Sequence, residues 1–372
     1  MSGALDQLDI VILGLSITSS WGNSHATTYR GLVRELAKRG HRVTFLERDA
    51  PSFADHRDLP APPYCHTVLY ESVTELRTQH SALVESADVV IVGSYVPDGA
   101  AVGQWVTELA GGITAFYDID TPITLARLVR GGTWYITPEL IERYDLYLSV
   151  TGGPTLARLE REFGSPCALP LYCSVDPVSY RPEIMLPSWD LGYMGPYSDD
   201  RQPTVERLLL EPARRWPGGR FTVVGPQYPA SVRWPANVDH TEHLSSAEHR
   251  AFYTAQRFTL DVTRPEMIAA GHSPSARLLE AAACAVPIIS DSWPGLDELF
   301  VPGKEILLAR SPADVLHLLR ELPEAERQRI GMRARRRVIR EHTAAHRAEE
   351  LESYLRSAVA RGTVHWRDQR AS

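Results

Sequence analysis

Residues 271–290, with the sequence GHSPSARLLEAAACAVPIIS, predict a loop, a helix and a buried strand in direct succession. The run 276–284 consists largely of strong helix formers, and Pro287 ends that helix. The apolar pair Ile288 and Ile289 then belongs to a strand. Alternation of helices with such strands is typical of a parallel sheet covered on both faces, so this stretch places the chain in the α/β class.

The start of this predicted helix carries polar residues suited to an anion. Ser273 and Ser275 lie where a helix N-terminus leaves backbone N–H groups unpaired, and that end attracts phosphate. Arg277 in the first turn would add a bidentate clamp, and Glu280, on the same helical face, would accept hydrogen bonds from sugar hydroxyls. The alternative is an ordinary capped helix whose arginine and glutamate form a surface pair.

Length and composition limit the functional classes. A chain of 372 residues suggests about two domains, and a net charge of −7 with 44% hydrophobic residues is typical of soluble globular proteins. Neither value favours nucleic acid or an acidic membrane surface as a partner. No apolar run reaches the roughly 18 residues that span a bilayer, and the four cysteines form no paired motif. We therefore expect a cytoplasmic protein with reduced thiols.

Lysine usage excludes further chemistry. The only lysines are Lys38 and Lys304, and neither stands in a phosphate-binding P-loop. A Schiff-base lysine and a pyridoxal cofactor are therefore not expected. Phosphate recognition must come from arginines, backbone N–H groups and helix ends.

Strand-like runs occur in two series, separated by a proline-interrupted segment at 175–188. From this pattern we predict an N-terminal Rossmann-like domain (1–180), a C-terminal Rossmann-like domain (188–340) and a final helical segment (341–372) that packs back on the first domain. Two such domains imply a cleft that could hold a ligand. The predicted strands are 9–15, 41–47, 88–92, 113–117 and 146–150 in the first series, and 190–194, 221–224, 258–262 and 286–290 in the second.

The loop after the first predicted strand is a candidate site. Gly22 and Asn23 allow a tight turn and could contact an acceptor, and His25 lies at the junction of this loop with the next helix. We interpret His25 as a general base or a hydrogen-bond donor. The alternative is a capping or structural histidine.

Asp118 and Asp120, in the segment FYDIDTP, form a second candidate. Carboxylates two residues apart point to opposite faces of a continuing strand, so joint metal ligation requires a turn. A helix N-cap is equally compatible with the segment. We therefore predict Asp118 as a base and Asp120 as an acceptor ligand, and no metal. Asp88 and Asp145 also stand at predicted strand ends, where loops of doubly wound sheets collect ligands.

The second series carries further polar turns. The turn GYMGPYSDDR contains Gly195, Tyr197 and Arg201, and a second strand-end turn contains Gly225. Arg264 directly follows the predicted strand 258–262. The segment His240–Glu242–His243 has no third metal ligand at a sensible spacing, so no metal site is expected there.

In their order and spacing, these segments resemble the group 1 glycosyltransferases of the GT-B fold, with two facing Rossmann-like domains, and most closely their CgeB-like branch. The resemblance rests on GYMGPYSDDR, FTVVGPQYP, HTEHLSSAEHRAFYTAQRFTLDVT, GHSPSARLLEAAACAVPIIS and PGLDELFVPGKEILLA, within 190–309. It is weaker in the first half, through GNSHATTYRGLVRELAKRGHRVTFLE and TGGPTLARL.

The resemblance implies a nucleotide-sugar donor held by the second domain and an acceptor held by the first. It assigns Glu280 to the donor ribose and Arg201 and Arg264 to the diphosphate, and it places His243 and Leu244 near the base. It implies neither a bound metal nor another cofactor. Many group 1 enzymes have a glutamate that touches the transferred sugar eight residues before the ribose glutamate, and this chain has His272 there.

The sequence therefore predicts a metal-independent glycosyltransferase that uses a nucleoside-diphosphate sugar, with retention favoured over inversion. The acceptor, whether small molecule, glycan or protein, is not identified, nor is the oligomeric state. Two alternatives stay open: a nucleotide-sugar epimerase of the same fold, and a nucleotide-sugar-binding protein without catalysis.

Overall fold

The computed structural model describes residues 7–21 and 25–360. The chain divides into two compact units: unit 1 takes Met1–Cys173 and Ala344–Ser372, and unit 2 takes Ser174–Thr343. The polypeptide thus builds most of unit 1, completes unit 2 without interruption and then returns to unit 1. Within the described residues, no helix is long and apolar enough to cross a membrane.

Unit 1 is built on a seven-stranded parallel sheet with the order β3-β2-β1-β4-β5-β6-β7. Its strands are β1 (Asp9–Gly14), β2 (Arg42–Arg48), β3 (His66–Tyr70), β4 (Val89–Gly93), β5 (Ile113–Asp118), β6 (Leu146–Ser149) and β7 (Ala168–Pro170). The helices of this part of the chain are α1 (His25–Lys38), α2 (Pro51–Ala54), α3 (Val73–Ser86), α4 (Gly99–Leu109), α5 (Thr121–Arg130), α6 (Pro138–Ile141) and α7 (Pro154–Phe163).

The strands of unit 1 are apolar because both faces of the sheet are covered. Successive side chains of β1 point to opposite faces, so Ile10 and Ile12 join one core cluster, while Val11 and Leu13 join the other. All four side chains are buried. A strand buried on both faces needs a continuous apolar run rather than an alternating one, as the sequence shows.

Unit 2 contains a six-stranded parallel sheet with the order β10-β9-β8-β11-β12-β13. Its strands are β8 (Trp189–Met194), β9 (Phe221–Val224), β10 (Val238–Thr241), β11 (Gln256–Asp261), β12 (Ile288–Ser290) and β13 (Leu307–Leu308). Its helices are α8 (Gln202–Val205), a π-helical turn (Glu206–Leu210), α9 (Glu211–Arg215), α10 (His249–Thr254), α11 (Pro265–Ala270), α12 (Ala276–Ala283), α13 (Leu296–Leu299), α14 (Pro312–Glu321) and α15 (Glu324–Glu341).

The last described helix, α16 (Ala344–Ala360), belongs to unit 1. Its apolar face enters the core cluster that also contains α1, with Leu351 and Leu355 fully buried. On the same helix, the Glu352 carboxylate accepts a hydrogen bond from Arg39 and lies 3.0 Å from His41 Nε2. The α/β class predicted from the sequence is confirmed.

All nine predicted strands are present, with ends shifted by at most two residues. The four strands that the sequence pattern missed are β3, β7, β10 and β13, which form the edges of the two sheets. An edge strand is covered less completely, so β3 and β10 lack the continuous apolar run of an inner strand, while β13 is only two residues long. In β10, for example, three of the four residues are exposed.

Candidate functional site

Most of the polar residues predicted in the second half of the chain lie in the connections that follow strands β8, β9, β10 and β11 of unit 2. In a parallel sheet all strands point the same way, so the loops after these strands emerge at one edge. The carboxyl edge of unit 2 therefore carries the turns at Gly195 and Gly225, the loop at Arg264 and the segment 271–275 before α12.

The two glycine turns pack against each other. Gly195 N–H donates to Val224 O at 2.8 Å, and Gly225 has a φ of +159°. A Cβ atom on Gly225 would lie 1.9 Å from the carbonyl oxygen of Gly195, and one on Gly195 would lie 2.5 Å from the Tyr193 hydroxyl. Both positions thus require glycine for packing within unit 2. The sequence suggests that Gly195 leaves room for a ligand beside the backbone, but the Tyr193 side chain occupies that space.

Arg201 lies in this edge as a buried cation. It is 8% exposed, and it donates to the Ser198 hydroxyl at 2.9 Å and to the Pro196 carbonyl at 3.0 Å. Among the residues described in the structure, Arg201 forms no ion pair. Burial lowers the pKa of its guanidinium, and the like charges of Arg277 and Arg264 lower it further, while Tyr193 and the Asp200 carboxylate offset only part of this effect. A buried charge without a counter-ion is costly, so an anion at this place would be strongly favoured.

The neighbouring arginines have carboxylate partners. Arg264 binds Asp200 at 2.8 Å, and the Arg277 guanidinium lies 3.9 Å from Asp261. Asp261 ends β11 and is buried. The three arginines therefore form a group whose positive charge is only partly offset, and Arg201 is the unpaired member.

The N-terminus of α12 is capped as the sequence predicts. Ser275 is the N-cap, and its hydroxyl oxygen accepts from Leu278 N–H at 3.1 Å. The same hydroxyl donates to Asp261 at 2.9 Å, while Ser273 is buried in the preceding loop. A carboxylate therefore already lies beside the hydroxyl that caps this helix, so the N-terminus of α12 is less favourable for an anion than the arginines are.

Glu280 lies deeper on α12, enclosed by aromatic groups. Its carboxylate accepts from Tyr253 O–H at 3.3 Å and is 4.0 Å from His249 Nδ1. The Tyr180 hydroxyl is 3.2 Å from the same histidine nitrogen. Burial, together with the Glu280 charge, raises the pKa of both tyrosines. Tyr180, Tyr253 and His249 are not predicted from the sequence, because no local pattern links them to a glutamate on another helix.

His272 has a strained backbone, with a φ of +46°. Its N–H donates to Pro294 O at 2.6 Å, and its Nδ1 lies 3.2 Å from the Glu298 carboxylate. A Cβ on Gly295 would lie 2.4 Å from that nitrogen, so the imidazole packs directly against the glycine backbone. Non-glycine residues at positive φ cost about 1–3 kcal/mol and concentrate at functional sites.

The remaining predicted donor residues lie in loops at or near the same edge. Tyr197 donates to Asp199 at 2.8 Å, and its ring packs on that of Tyr228. His243 and Leu244 are partly exposed in the loop between β10 and α10. In the described parts of the chain, no group of three metal-ligating side chains occurs.

Unit 1 places His25 at the start of α1. The side chain is 9% exposed, and burial lowers its pKa to about 4, so the imidazole is neutral at physiological pH. Its Nδ1 has no hydrogen-bond partner among the described residues. The ring meets Tyr95 edge to face, with 5.4 Å between centroids. The predicted neighbours Gly22 and Asn23 lie outside the described residues.

Asp118 ends β5 and is fully buried. Its oxygens accept from Tyr147 O–H at 2.6 Å, Thr124 O–H at 3.0 Å and Asp120 N–H at 3.1 Å. Burial raises its pKa to about 6. A carboxylate enclosed in this way orders the turn after β5 and cannot reach a substrate, which disfavours the predicted role as base. Asp120 instead accepts from Tyr95 O–H at 2.6 Å.

Two other aspartates lie at the opposite edge from that expected. Asp88 directly precedes β4, and Asp145 directly precedes β6, so both lie at amino ends of strands. Asp88 accepts from Asp9 N–H at 2.7 Å, and Asp145 accepts from Thr114 N–H at 2.7 Å. They hold neighbouring strands together and take no part in the candidate site.

Comparisons with known proteins agree with this architecture. Residues 201–353 match the family model described as "Glycosyl transferase-like". Sucrose-phosphate synthase from Thermosynechococcus elongatus is similar in structure, with a TM-score of 0.69 and 14% identity over 95% of this chain and 100% of that one. HepE from Anabaena, in complex with UDP-glucose, gives a TM-score of 0.68 and 11% identity over 94% and 100%.

A third solved structure, AviGT4, is a glycosyltransferase involved in avilamycin A biosynthesis. It gives a TM-score of 0.63 and 17% identity over 95% of this chain and 98% of that one. No curated protein matches the chain in sequence. At these identities the structural matches establish the fold alone, and the family match covers residues 201–353.

Proposed function

We propose that the chain is a glycosyltransferase of the GT-B type that transfers a sugar from a nucleoside-diphosphate sugar to an acceptor. In this proposal unit 2 binds the donor and unit 1 binds the acceptor. The similarity to HepE, whose structure contains UDP-glucose, supports a nucleotide-sugar donor.

The observation that carries this proposal is the buried, unpaired guanidinium of Arg201. Its hydrogen bonds go only to a neutral hydroxyl and a neutral carbonyl, although Arg264 and Arg277 lie close enough to lower its pKa. A diphosphate would supply the missing counter-charge. During transfer the leaving diphosphate gains negative charge, and cations fixed in advance stabilise that charge more in the transition state than in the ground state.

The ribose of the donor is assigned to Glu280. Hydroxyl groups of a ribose would donate to its carboxylate, as Tyr253 does in this structure. Because Tyr253 and Tyr180 are buried beside Glu280, their rings fix the carboxylate in a dry pocket, where a hydrogen bond to an ionised group is strong.

The stereochemical proposal is retention. Inversion needs a base on unit 1, and the two predicted bases are poorly suited: Asp118 is enclosed by three hydrogen bonds, and His25 has a pKa of about 4. A general base works best when its pKa is near the working pH. With retention, an oxygen of the leaving diphosphate takes the acceptor proton, and His25 serves to position the acceptor hydroxyl. No bound metal is included, since the arginines supply the positive charge.

Arg201→Ala tests the donor site. Without the guanidinium we expect UDP, used as the probe, to bind about 10- to 100-fold more weakly, because a charge-assisted hydrogen bond contributes about 1.5–3 kcal/mol. Calorimetric titration measures the affinity, and excess chelator should leave the wild-type value unchanged. Arg215→Ala is the matched control, because Arg215 is a surface arginine paired with Glu211.

Equal UDP affinities in Arg201→Ala and the wild type would contradict the diphosphate assignment. Loss of binding in chelator would contradict the metal-free proposal. Product analysis then separates transfer from epimerisation, since an epimerase yields an altered nucleotide sugar and no conjugate.

A further inference from the structure

Three aromatic rings and one arginine form a cluster beside His25 at the carboxyl edge of unit 1. Tyr95 follows β4, while Trp134 and Tyr135 follow α5. The centroid of the Tyr95 ring lies 5.8 Å from that of the Trp134 ring and 4.7 Å from that of the Tyr135 ring. Trp134 is 54% exposed, whereas Tyr135 is fully buried behind it. The indole of Trp134 is therefore exposed to solvent, and the buried Tyr135 ring supports it from behind.

Tyr95 is held in an unfavourable backbone conformation. Its φ is +65°, in the left-handed region that side chains other than glycine, asparagine and aspartate rarely adopt. The hydroxyl donates to Asp120 at 2.6 Å, which fixes the ring between that carboxylate and Trp134. Strain of this kind persists only where the surroundings enforce it, and it marks binding sites more often than plain scaffold.

Arg127, on α5, lies over two of these rings. Its guanidinium carbon is 5.7 Å from the centroid of Tyr95 and 5.4 Å from that of Trp134. Within the described parts of the chain, none of the guanidinium N–H groups of Arg127 has an acceptor. Its Nη1 atom is also shielded from solvent. Because the rings occupy the faces of the guanidinium, an anion can bind it only along its N–H edge, where the unpartnered Nη1 would gain an acceptor.

We propose that Tyr95, Trp134 and Arg127 form the acceptor subsite of unit 1, and that it takes a ring-shaped acceptor bearing an anionic group. This inference rests on the proposed function, since an acceptor is needed only by a transferase. The ring of the acceptor packs on the exposed indole of Trp134, and its carboxylate or phosphate binds the N–H edge of Arg127. His25, in contact with Tyr95, then faces the hydroxyl that receives the sugar.

Saturation-transfer NMR on the full chain tests the subsite with matched probes. Glucuronate and glucose 6-phosphate are compared with glucose, and 4-hydroxybenzoate with 4-hydroxybenzyl alcohol. We expect at least one charged probe to bind about 10-fold or more tightly than its neutral partner, as a charge-assisted pair predicts. The sugar and aromatic pairs identify the kind of ring, and the two anionic sugars distinguish carboxylate from phosphate.

Two variants make the test specific. Arg127→Gln should remove the preference for the charged probe, and Trp134→Ala should weaken charged and neutral probes alike. Arg130→Gln is the matched control, since Arg130 is an exposed residue at the end of the same helix. Thermal unfolding of each variant confirms that unit 1 is intact.

The proposal is overturned if charged and neutral probes bind equally, if Arg127→Gln keeps the preference, or if no charged ring binds at roughly 10 mM, the weak end of specific binding. UDP titration of the same samples reports on unit 2 alone. Normal UDP binding with a failed probe panel therefore rejects the acceptor subsite and leaves the donor proposal standing, whereas failed UDP binding rejects the donor proposal.

Discussion

At the scale of single residues, surroundings rather than residue type decide the role of each charge. Arg201 and Arg215 are both arginines of unit 2, but one is buried without a carboxylate and the other pairs with Glu211 on the surface. Asp118 and Asp120 stand two residues apart, yet one is enclosed and the other binds Tyr95. Only the unsatisfied or accessible member of each pair is suited to bind a ligand.

His25 gives a prediction for pH dependence at this scale. Its pKa is lowered by burial from 6.5 to about 4, so the unfolded chain binds the proton more tightly than the folded one. Stability therefore falls as the pH drops from 6.5 towards 4, by about 2–3 kcal/mol in total. Urea unfolding at pH 7.5, above that window, and at pH 4.5, in its lower part, should show most of this loss in the wild type and not in His25→Asn.

Comparing the wild type with His25→Asn also cancels the contributions of other titrating groups to the pH dependence of stability. Asp118 and Asp291 have pKa values raised to about 6 by burial, and their effect on stability has the opposite sign. Both are present in the wild type and in the variant, so they cancel in the difference. Identical pH dependence in the two proteins would show that His25 is not buried in a neutral form.

At the scale of elements, the C-terminal helix α16 completes the core of unit 1. Its buried leucines share a cluster with α1 and with strands β1 and β5, more than two hundred residues earlier in the chain. Glu352 adds contacts with Arg39 and His41, near the end of α1. The helix is therefore a structural part of unit 1 rather than an appended tail.

Leu355→Ala measures this contribution. Leu355 is fully buried, and truncation of such a leucine typically costs about 2–5 kcal/mol. We expect the denaturant midpoint of unit 1 to fall, while UDP affinity stays unchanged because the donor residues lie in unit 2. Ser357→Ala, at an exposed position of the same helix, is the control. A midpoint equal to that of the control would mean that α16 does not pack in solution as it does here.

At the scale of the whole molecule, the chain order separates the two proposed roles. Unit 2 is one continuous segment, Ser174–Thr343, whereas unit 1 is assembled from both ends of the chain. The arginine group and Glu280 lie in the continuous unit, and the aromatic cluster lies in the discontinuous one. Binding of a nucleotide should therefore stabilise one unit selectively.

Hydrogen exchange with and without UDP tests this separation. A ligand at about 100 times its Kd adds about 2.7 kcal/mol to the unit that binds it. We expect slower exchange within 174–343, most of all around α12, and little change in 7–21 and 25–173. Arg201→Ala at the same UDP concentration should show no such protection. Protection confined to unit 1 would contradict the proposal that unit 2 binds the nucleotide.

The amino-acid sequence is enough to predict the α/β class and the nine inner strands, and it also names the candidate arginines and glutamate of the second half. These features are local, because a buried strand or a capped helix is specified by its own residues. Loop residues that directly follow such strands are bound to emerge at the carboxyl edge of a parallel sheet. The placement of Arg201 and Arg264 at that edge could therefore be predicted without coordinates, whereas Glu280 lies within α12.

Only the tertiary structure decided which of these groups are already satisfied. Asp118 is enclosed by Tyr147, 29 residues further along the chain, and Glu280 is approached by Tyr253, 27 residues before it. The cluster of Tyr95, Trp134 and Arg127 is likewise assembled from separate loops and a helix. Such partners are set by packing between distant segments, and no period in the sequence records them. Whether Arg277 of the segment 271–290 and its neighbour Arg201 have carboxylate partners is therefore a property of the fold.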